Sequence, residues 1–491
     1  MAISISGSPQ SFQPVFNPLY YYVDSTNKSE TGFQYIADLY SAGTSTRFSR
    51  QMTFPAPVTG YGEFGINQIL QSQVSFNLNQ DATGSTINNE AVVNYQMIFG
   101  EQYLVQWDYN DYLNSFAIYT GTTYPNSYLL SGDTAHIFSV GDLIQVNPAS
   151  GSPTTLTGVH TVVEVPSAVE VILGTTFVAG PTLSGTAYYA DERLTQFTGL
   201  TSATTATAFN GVVGHKLFKD YDYTDYIINT GNTGQFLTNI PNNYTVRTDS
   251  SGWFNCYFSA ASEANYALRI ITSTGNNVRI QTSHSQIANK AQYFGVFPKQ
   301  LNASTLLSGT QPVIDTSVTV YTAYTEDLTT SARTSEIKIF NVDNKCTKFG
   351  VFELLFMDKL GSFISKAFEY NNTKSISVNR SEYQKFIGGL SAGKYSYSSV
   401  DRGRTNINTY DITELTLNTG WLTEDEANYL SELYSSPEVY LKIQNDVTGT
   451  DEFWPVIVTT NSLEIPKYYN KRNIQYSITI QYAFNNPSQT F

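Results

Sequence analysis

Residues 476–484 read YSITIQYAF, and this stretch decides the fold class. It is a short run of β-branched and aromatic side chains set among polar ones, which favours a strand over a helix. Similar runs recur at 18–23 (PLYYYV), 33–40 (FQYIADLY), 92–107, 318–324 (VTVYTAY) and 337–340 (IKIF). Turn clusters separate them. The sequence therefore predicts a mainly β protein made of several β-sandwich or barrel domains.

The composition agrees with that fold class and narrows the function. Lys and Arg number 27 and Asp and Glu number 41 among 491 residues, so the formal net charge is −14, and 14% of the chain is charged. Soluble domains carry about 25% charged residues. Aromatic residues make up 14%, and their large buried areas argue against disorder. Binding to a nucleic-acid backbone needs a cluster of Lys and Arg, and this sequence has none. We therefore expect no specific nucleic-acid binding.

The length predicts two to four domains. No run approaches the roughly 18 apolar residues that a membrane-spanning helix needs. The first residues, MAISISGSPQSFQP, lack the basic and apolar stretches of a secretory signal. We therefore expect no membrane span and synthesis in a reducing cytoplasm. There, Cys256 and Cys346 are expected to be small buried hydrophobes rather than a disulfide.

One segment reads as an inserted module. Residues 128–190 contain almost no Lys or Arg and are rich in Gly, Thr and Val. This composition favours a small closed β-barrel. Its host is then residues 1–127 with 191–335, a discontinuous β-sandwich region. Residues 336–491 form a C-terminal β domain with one short helix at 424–436.

The signals for that helix are complete. Thr423 and Glu426 form a capping box, and three acidic residues occupy the first turn. An apolar stripe follows, and Pro437 ends the helix. The stripe consists of Ala427, Leu430, Leu433 and Tyr434.

The sequence gives little support for a catalytic or metal-binding site. His136, His160, His215 and His284 are too scattered to show metal-ligand spacing, so each is expected to be structural. Residues 389–393, GLSAG, match a nucleophile elbow, but no histidine follows them, and a turn between strands is favoured. Residues 60–65, GYGEFG, match the pattern of a dinucleotide-binding motif. Such a motif needs a buried strand before it, and Pro55 and Pro57 argue against a central strand there. We predict no catalytic residue, metal or cofactor, and a protein that is not an enzyme.

Two acidic, aromatic stretches are candidate surface or glycan patches. One contains Trp107, Asp108, Tyr109 and Asp111, and the other Asp220, Tyr221, Asp222, Tyr223 and Asp225. Exposed rings can stack on sugars, and closely spaced carboxylates can hold Ca²⁺. Ordinary surface loops or edge strands are the alternative.

Several stretches spread along the chain form a recognisable series. It begins with NPLYYYVDSTN at 17–27 and FQY at 33–35. It continues with Gly141-Asp142, GVHTVVEV at 158–165, FLTN at 236–239, Cys346 and GSF at 361–363. The C-terminal stretches are GWLT at 420–423, SPEVY at 436–440, PVIV at 455–458 and QYSI at 475–478. Taken together, these stretches resemble virion structural proteins of tailed bacteriophages, notably crAss-like and related phages of Bacteroidetes.

The resemblance implies a building block of the tail, the collar rings or a baseplate. Such a subunit would be made in the host cytoplasm and reside in the virion. Its implied partners are copies of itself in a cyclic assembly and other tail or portal proteins. A receptor- or glycan-binding tail protein is the alternative, with a host-surface glycan as partner.

The candidate interface residues come from two segments. They are Tyr20, Tyr21 and Tyr22 in an aromatic strand and Leu430, Leu433 and Tyr434 in the helix. A role in the core of their own domain is the alternative for both segments.

Overall fold

A computed structural model describes most of the chain. The described residues are 3–76, 78–79, 82–105, 108–113, 115–118, 127–131, 138–148, 157–176, 185–189, 193–194, 198–229, 233–258, 266–281, 290–401, 403–444, 450–464, 474–484 and 486–487.

Strands dominate the chain, and the prediction of a mainly β protein is confirmed. The first strands are β1 (Ile3–Gly7), β2 (Phe12–Pro14), β3 (Tyr20–Ser25), β4 (Gln34–Ser41), β5 (Arg47–Thr53), β6 (Gly62–Gly65), β7 (Ser85–Asn88), β8 (Val92–Gln102), β9 (Leu104–Val105), β10 (Asp108–Leu113), β11 (Ser115–Ile118) and β12 (Ser127–Ser131). The next are β13 (Leu143–Pro148), β14 (Gly158–Ser167), β15 (Glu170–Thr176), β16 (Gly185–Tyr189), β17 (Arg193–Leu194), β18 (Thr198–Ser202), β19 (Ala206–Phe209), β20 (Ile227–Ile228), β21 (Asn243–Arg247), β22 (Gly252–Phe258), β23 (Tyr266–Thr272), β24 (Asn277–Gln281) and β25 (Lys290–Gly295). The last are β26 (Val320–Asp327), β27 (Lys338–Asp343), β28 (Phe352–Met357), β29 (Phe363–Phe368), β30 (Thr373–Gln384), β31 (Gly389–Ser391), β32 (Lys394–Ser396), β33 (Arg404–Asn418), β34 (Val439–Gln444), β35 (Asp451–Val458), β36 (Ser477–Tyr482) and β37 (Asn486–Pro487).

Helices are short and few. They are α1 (Asn67–Gln71), α2 (His215–Phe218), α3 (Pro298–Ala303) and α4 (Glu424–Ser435), with a 3-10 turn at Tyr223–Tyr226. The predicted C-terminal helix is therefore present as α4, and the shorter helices α1 to α3 were not predicted. None of the helices in the described part of the chain is long and apolar enough to cross a membrane.

The chain divides into two compact units. Met1–Pro9, Leu19–Ile66 and Tyr95–Thr205 form the first, and Gln10–Pro18, Asn67–Asn94 and Ala206–Phe491 form the second. The three-part division predicted from the sequence stays a prediction.

Among its described residues the first unit holds four sets of paired strands, the smallest of which is β9 with β17. β3 lies between β1 and β6, and β4 lies between β5 and the 95–102 part of β8. A seven-stranded sheet follows the order β10-β16-β13-β14-β15-β12-β11. Val146, Val162 and Ile172 are buried within that sheet region.

The prediction of a closed barrel at residues 128–190 is wrong. Among the described residues the seven strands form an open path, with β10 and β11 at its two ends. A single residue separates these two strands in the sequence. That spacing leaves no room for the turn of about two residues by which β10 and β11 could fold back and pair with each other, and the described residues show no such pairing.

The second unit is a sandwich of two sheets. A five-stranded sheet, β21-β27-β26-β23-β24, packs against a larger sheet that runs β30-β33-β36-β35-β34-β28-β29-β22-β25-β7. One hydrophobic core joins them, with Leu268 and Phe340 from the first sheet and Phe254, Leu354 and Ile478 from the second. Alternating side chains of the strands supply this core, as strand geometry requires.

Helix α4 packs onto the same core. Ala427, Leu430 and Leu433 are buried there. The hydroxyl of Thr423 accepts a hydrogen bond from the N–H of Glu426 at 3.2 Å, as the capping signal predicts. The Glu426 carboxylate, however, accepts from the backbone N–H of Thr245 at 2.7 Å, which ties the helix to β21.

Candidate interaction surface

The hairpin of β30 and β33 continues past its last neighbouring strand. The two strands pair antiparallel up to Gln384 opposite Arg404. β36 and β37 also pair with β33, but only from Tyr410 onward. Toward the tip, within the described residues, each strand of the hairpin has only the other as neighbour. We call residues 380–409 the arm.

The tip of the arm is a second, shorter hairpin of β31 and β32. Ser391 pairs with Lys394, which leaves Ala392 and Gly393 as a two-residue turn. Both turn residues have positive φ, 51° and 74°. That combination is typical of a type I′ turn, whose twist matches the strands it joins. The GLSAG stretch thus contains β31 and the turn that joins it to β32, and the prediction of a turn between strands is confirmed.

The arm exposes large apolar side chains. Phe386, Leu390 and Val400 are 78%, 83% and 81% exposed. Tyr395 lies beside Phe386 with ring centroids 5.8 Å apart, and the Tyr397 ring lies 6.3 Å from that of Tyr395. Apolar side chains grouped in this way on a surface indicate an interaction site.

In the part of the arm that the structure describes, no side chain is buried in a core. Every residue of β30 is exposed, so both faces of this strand meet solvent. An isolated two-stranded hairpin is only marginally stable in water. A partner that covers one face of the arm would add the apolar burial that the chain itself does not supply.

The arm also differs from the rest of the chain in charge. Residues 380–409 contain five basic residues and two acidic ones, a net charge of +3. The remainder of the chain then carries −17, because the whole carries −14. Opposite charges favour encounter between this arm and an acidic surface.

The aromatic strand that the sequence singled out is half exposed. In β3, Tyr20 and Tyr22 are 46% and 38% exposed, and their rings lie 6.5 Å apart. Tyr21 points the other way and is buried against Phe99, with centroids 5.4 Å apart. A partner contact at Tyr20 and Tyr22 stays a prediction.

The helix residues of the candidate interface face inward. Leu430 and Leu433 are buried in the core of the second unit. Tyr434 packs against that core, and its hydroxyl donates a hydrogen bond to the carbonyl of Ser477 at 3.1 Å. Burial raises the pKa of Tyr434 to about 12. These three side chains therefore have structural contacts within their own unit.

The second acidic, aromatic stretch is also tied to its own unit. Tyr221 is buried between Phe218 and Tyr226, and its hydroxyl donates to the carbonyl of Phe12 at 2.9 Å. Asp222 accepts from the N–H and the hydroxyl of Thr224, which lowers the pKa of Asp222.

The remaining side chains of the two acidic patches differ in what the structure shows. Asp220, Asp222 and Asp225 are exposed, and Tyr223 is half-buried. Trp107 lies outside the described residues. Asp108, Tyr109 and Asp111 belong to β10, and their side chains lie outside the description. Binding of a glycan at either patch stays a prediction.

The cysteine prediction needs one correction. Both cysteines are free, and Cys256 is buried in the core as expected. Cys346, by contrast, is exposed, because it follows β27 in a polar stretch of exposed residues.

His160 is buried, with its Nδ1 2.7 Å from the Thr175 hydroxyl. Within the described residues no group of three His, Cys, Asp or Glu could hold a metal ion.

Sequence reasoning missed a pair of buried carboxylates. Asp358 follows β28 and accepts hydrogen bonds from the N–H groups of Leu360 and Ser362 at 3.0 and 2.9 Å. Glu432 on α4 accepts from the backbone N–H of Lys359 at 2.9 Å. Burial and the charge of Glu432 raise the pKa of Asp358 to about 7. Burial likewise raises the pKa of Glu432.

No protein-family model matches this chain, and no curated protein matches it. Among solved structures it is similar to one titled "Phage phi92 endosialidase". The two are 8% identical, the match covers 97% of this chain and 67% of the other, and the TM-score is 0.15. A TM-score this low carries no argument about fold or function.

Proposed function

We propose that this chain is a non-enzymatic structural subunit of a tailed-phage virion, in the tail, the collar rings or the baseplate. It works through repeated contacts with copies of itself and with other tail or portal proteins. The sequence resemblance to phage structural proteins supplies the setting. The observation that carries the proposal is the arm, an exposed hairpin whose apolar residues have no core of their own.

The physical reason is that an uncovered apolar arm is a liability for a protein that acts alone. Phe386, Leu390 and Val400 would promote non-specific association unless a specific partner covers them. In an assembly the same side chains become contact area. Because the arm is basic and the rest of the chain is acidic, contact between the arm of one copy and the surface of another is also favoured.

The test is the protein content of virions purified from the phage that encodes the chain. Quantitative mass spectrometry is expected to find the chain in several copies per particle. Its absence from particles that retain their other structural proteins would overturn the proposal.

A separate assay addresses catalysis. The purified chain, incubated with capsular or cell-wall polysaccharide, is expected to release no oligosaccharide. Turnover that is lost when a single carboxylate is changed would show an enzyme instead.

A further inference from the structure

A cavity of about 220 Å³ lies in the second unit, beside β21, β29 and the first turn of α4. Sites for drug-sized molecules occupy about 300–1,000 Å³, so a ligand of this cavity is smaller, of the size of one sugar ring. The cavity shares no lining residue with the arm or with the two acidic, aromatic patches.

Two exposed aromatic residues, Trp421 and Tyr370, form part of the cavity wall. They are 60% and 39% exposed. The Tyr370 ring lies against Gly420, where an added side chain would approach it to 3.4 Å. Since Gly420 directly precedes Trp421, both aromatic residues belong to the same stretch of wall. The apolar face of a sugar ring packs well on aromatic rings that are open to solvent in this way.

The ammonium group of Lys366, which also lines the cavity, has hydrogen-bond donors to spare. The side chain is buried, and its Nζ lies 3.6 Å from Oε2 of Glu426 and 4.9 Å from the centre of the Tyr244 ring. Neither contact is a hydrogen bond, and within the described residues Nζ donates none. Because an ammonium carries three N–H donors, a ligand in the cavity can accept from Lys366.

Acceptors are available beside this donor. Oε1 of Glu426 accepts from the backbone N–H of Thr245, which leaves Oε2 facing the more distant ammonium. Oε1 of Glu369 accepts from Arg247 at 3.0 Å, and its Oε2 has no hydrogen bond in the part of the chain that the structure describes. Both carboxylates line the cavity, so it offers donors and acceptors together.

The charges around the cavity balance. Three basic and three acidic side chains line it, so their formal charges sum to zero. They are Arg247, Lys345, Lys366, Asp343, Glu369 and Glu426. A charged ligand therefore gains no net attraction from the lining. A hydroxyl both donates and accepts, so an uncharged ligand with several hydroxyls can bond to the ammonium and to the carboxylates at once.

We propose that this cavity binds one ring of an uncharged saccharide. Neighbouring hydroxyls of the sugar accept from Lys366 and donate to Glu426, and the C–H face of the ring packs on Trp421. Such a site goes beyond the proposed function, because a structural subunit needs no ligand. It would give the same subunit a contact with a glycan in addition to its contacts with other proteins.

The test is saturation-transfer NMR on the full chain with the methyl glycosides of glucose, galactose, mannose, fucose, rhamnose and N-acetylglucosamine. At least one of these probes is expected to receive saturation, most strongly at its ring C–H protons. Trp421→Ala is expected to weaken its binding about tenfold, because the exposed ring is lost while the core stays intact. Lys366→Met keeps the apolar stem, removes the donors and is expected to weaken binding as well. If that buried change prevents folding, Trp421→Ala decides alone.

Two controls separate this site from general effects. Trp454→Ala removes another exposed indole, on β35 and outside the cavity lining, and is expected to leave binding unchanged. Methyl glucuronide, which is negatively charged, is expected to bind no more tightly than methyl glucoside.

Several results would overturn the inference. Binding that survives Trp421→Ala, or that falls equally in Trp454→Ala, would lie at another site. Binding of the glucuronide alone would show a charged ligand, and no saturation of any probe would show that the cavity does not hold a sugar. None of these results bears on the proposed function, which the protein content of purified virions tests separately.

Discussion

The carboxyl group of Asp358 is buried beside that of Glu432, and this position has the most direct consequence for stability at the scale of single residues. Its folded-state pKa of about 7 lies above the ordinary value of 3.8. The folded state therefore retains a proton that the unfolded state releases between these values. Stability is greatest below the unfolded pKa and is lost as the pH rises toward the folded one.

We predict that the free energy of unfolding falls between pH 5 and pH 7, by about 1 kcal/mol per pH unit from this group. In Asp358→Asn the contribution is absent, because an amide does not titrate. Urea denaturation over this pH range measures both proteins. The rest of the chain is the same in both proteins, so the difference between the two curves reports the Asp358 carboxyl group together with its effect on Glu432. Curves of equal slope would contradict the assignment.

Buried and exposed ion pairs should contribute very different amounts to the free energy of unfolding of this chain. Glu326 is buried and held by Arg269 and Arg279, whereas Glu382 on the arm lies 3.8 Å from Arg404 in solvent. Glu326→Gln is expected to lower the free energy of unfolding by about 3 kcal/mol, since two guanidinium groups lose their partner. Glu382→Gln should change it by less than about 1 kcal/mol. Denaturant titrations of the two variants make the comparison, and equal losses would be inconsistent with it.

At the scale of elements, α4 is a helix whose end depends on one hydroxyl. The Thr423 side chain accepts the N–H of Glu426, and three acidic residues follow in the first turn. Thr423→Ala is expected to lower the free energy of unfolding by about 1 kcal/mol. Ser431→Ala, in the middle of the same helix, is the control and should change little. Thermal denaturation followed by circular dichroism compares them, and an equal effect of both would argue against a specific cap.

Helix α4 could be predicted from the sequence because its signals are local. Thr423, the apolar stripe and Pro437 all lie within about four turns of one another. The arm could not be predicted in the same way. The sequence of β30, TKSISVNRSEYQ, has strand-forming residues, but nothing in it shows that both faces are exposed. That property depends on which strands lie beside the hairpin, and the neighbours of β33 other than β30 come from residues after 474.

The arm should be removable without harm to the sandwich. Glu382 pairs with Asn406, so residues 383–405 can be replaced by an Asn-Gly turn that keeps the remaining hairpin in register. Because the arm covers no core, the free energy of unfolding is expected to change by less than about 1 kcal/mol. Denaturation of this arm-shortened chain tests the expectation. Loss of cooperative unfolding would show that the arm belongs to the folded core.

At the scale of the whole molecule, the sequence was informative about fold class and less so about sites. Aromatic and β-branched runs recur in nearly every segment, so a mainly β protein follows from local pattern. The barrel expectation went wrong because closure depends on which strands pair at the ends of a sheet. Asp358 and Glu432 meet only because α4 packs near the end of β28, a contact between distant segments that no spacing rule reveals.

The folded core and the exposed arm are separate parts of the second unit. A sandwich with a large core carries an arm that has no core, and the arm is basic on an otherwise acidic chain. The proposed function thus assigns stability and assembly to different residues. Leu433 and Phe254 hold the fold, whereas Phe386 and Leu390 are free for a partner.

The most direct test of this account is the mass of the full chain in solution, compared with that of the arm-shortened chain, by light scattering at tens of micromolar. We predict multimers for the full chain and a folded monomer for the shortened one. Equal masses for the two chains, whether both monomeric or both multimeric, would contradict it.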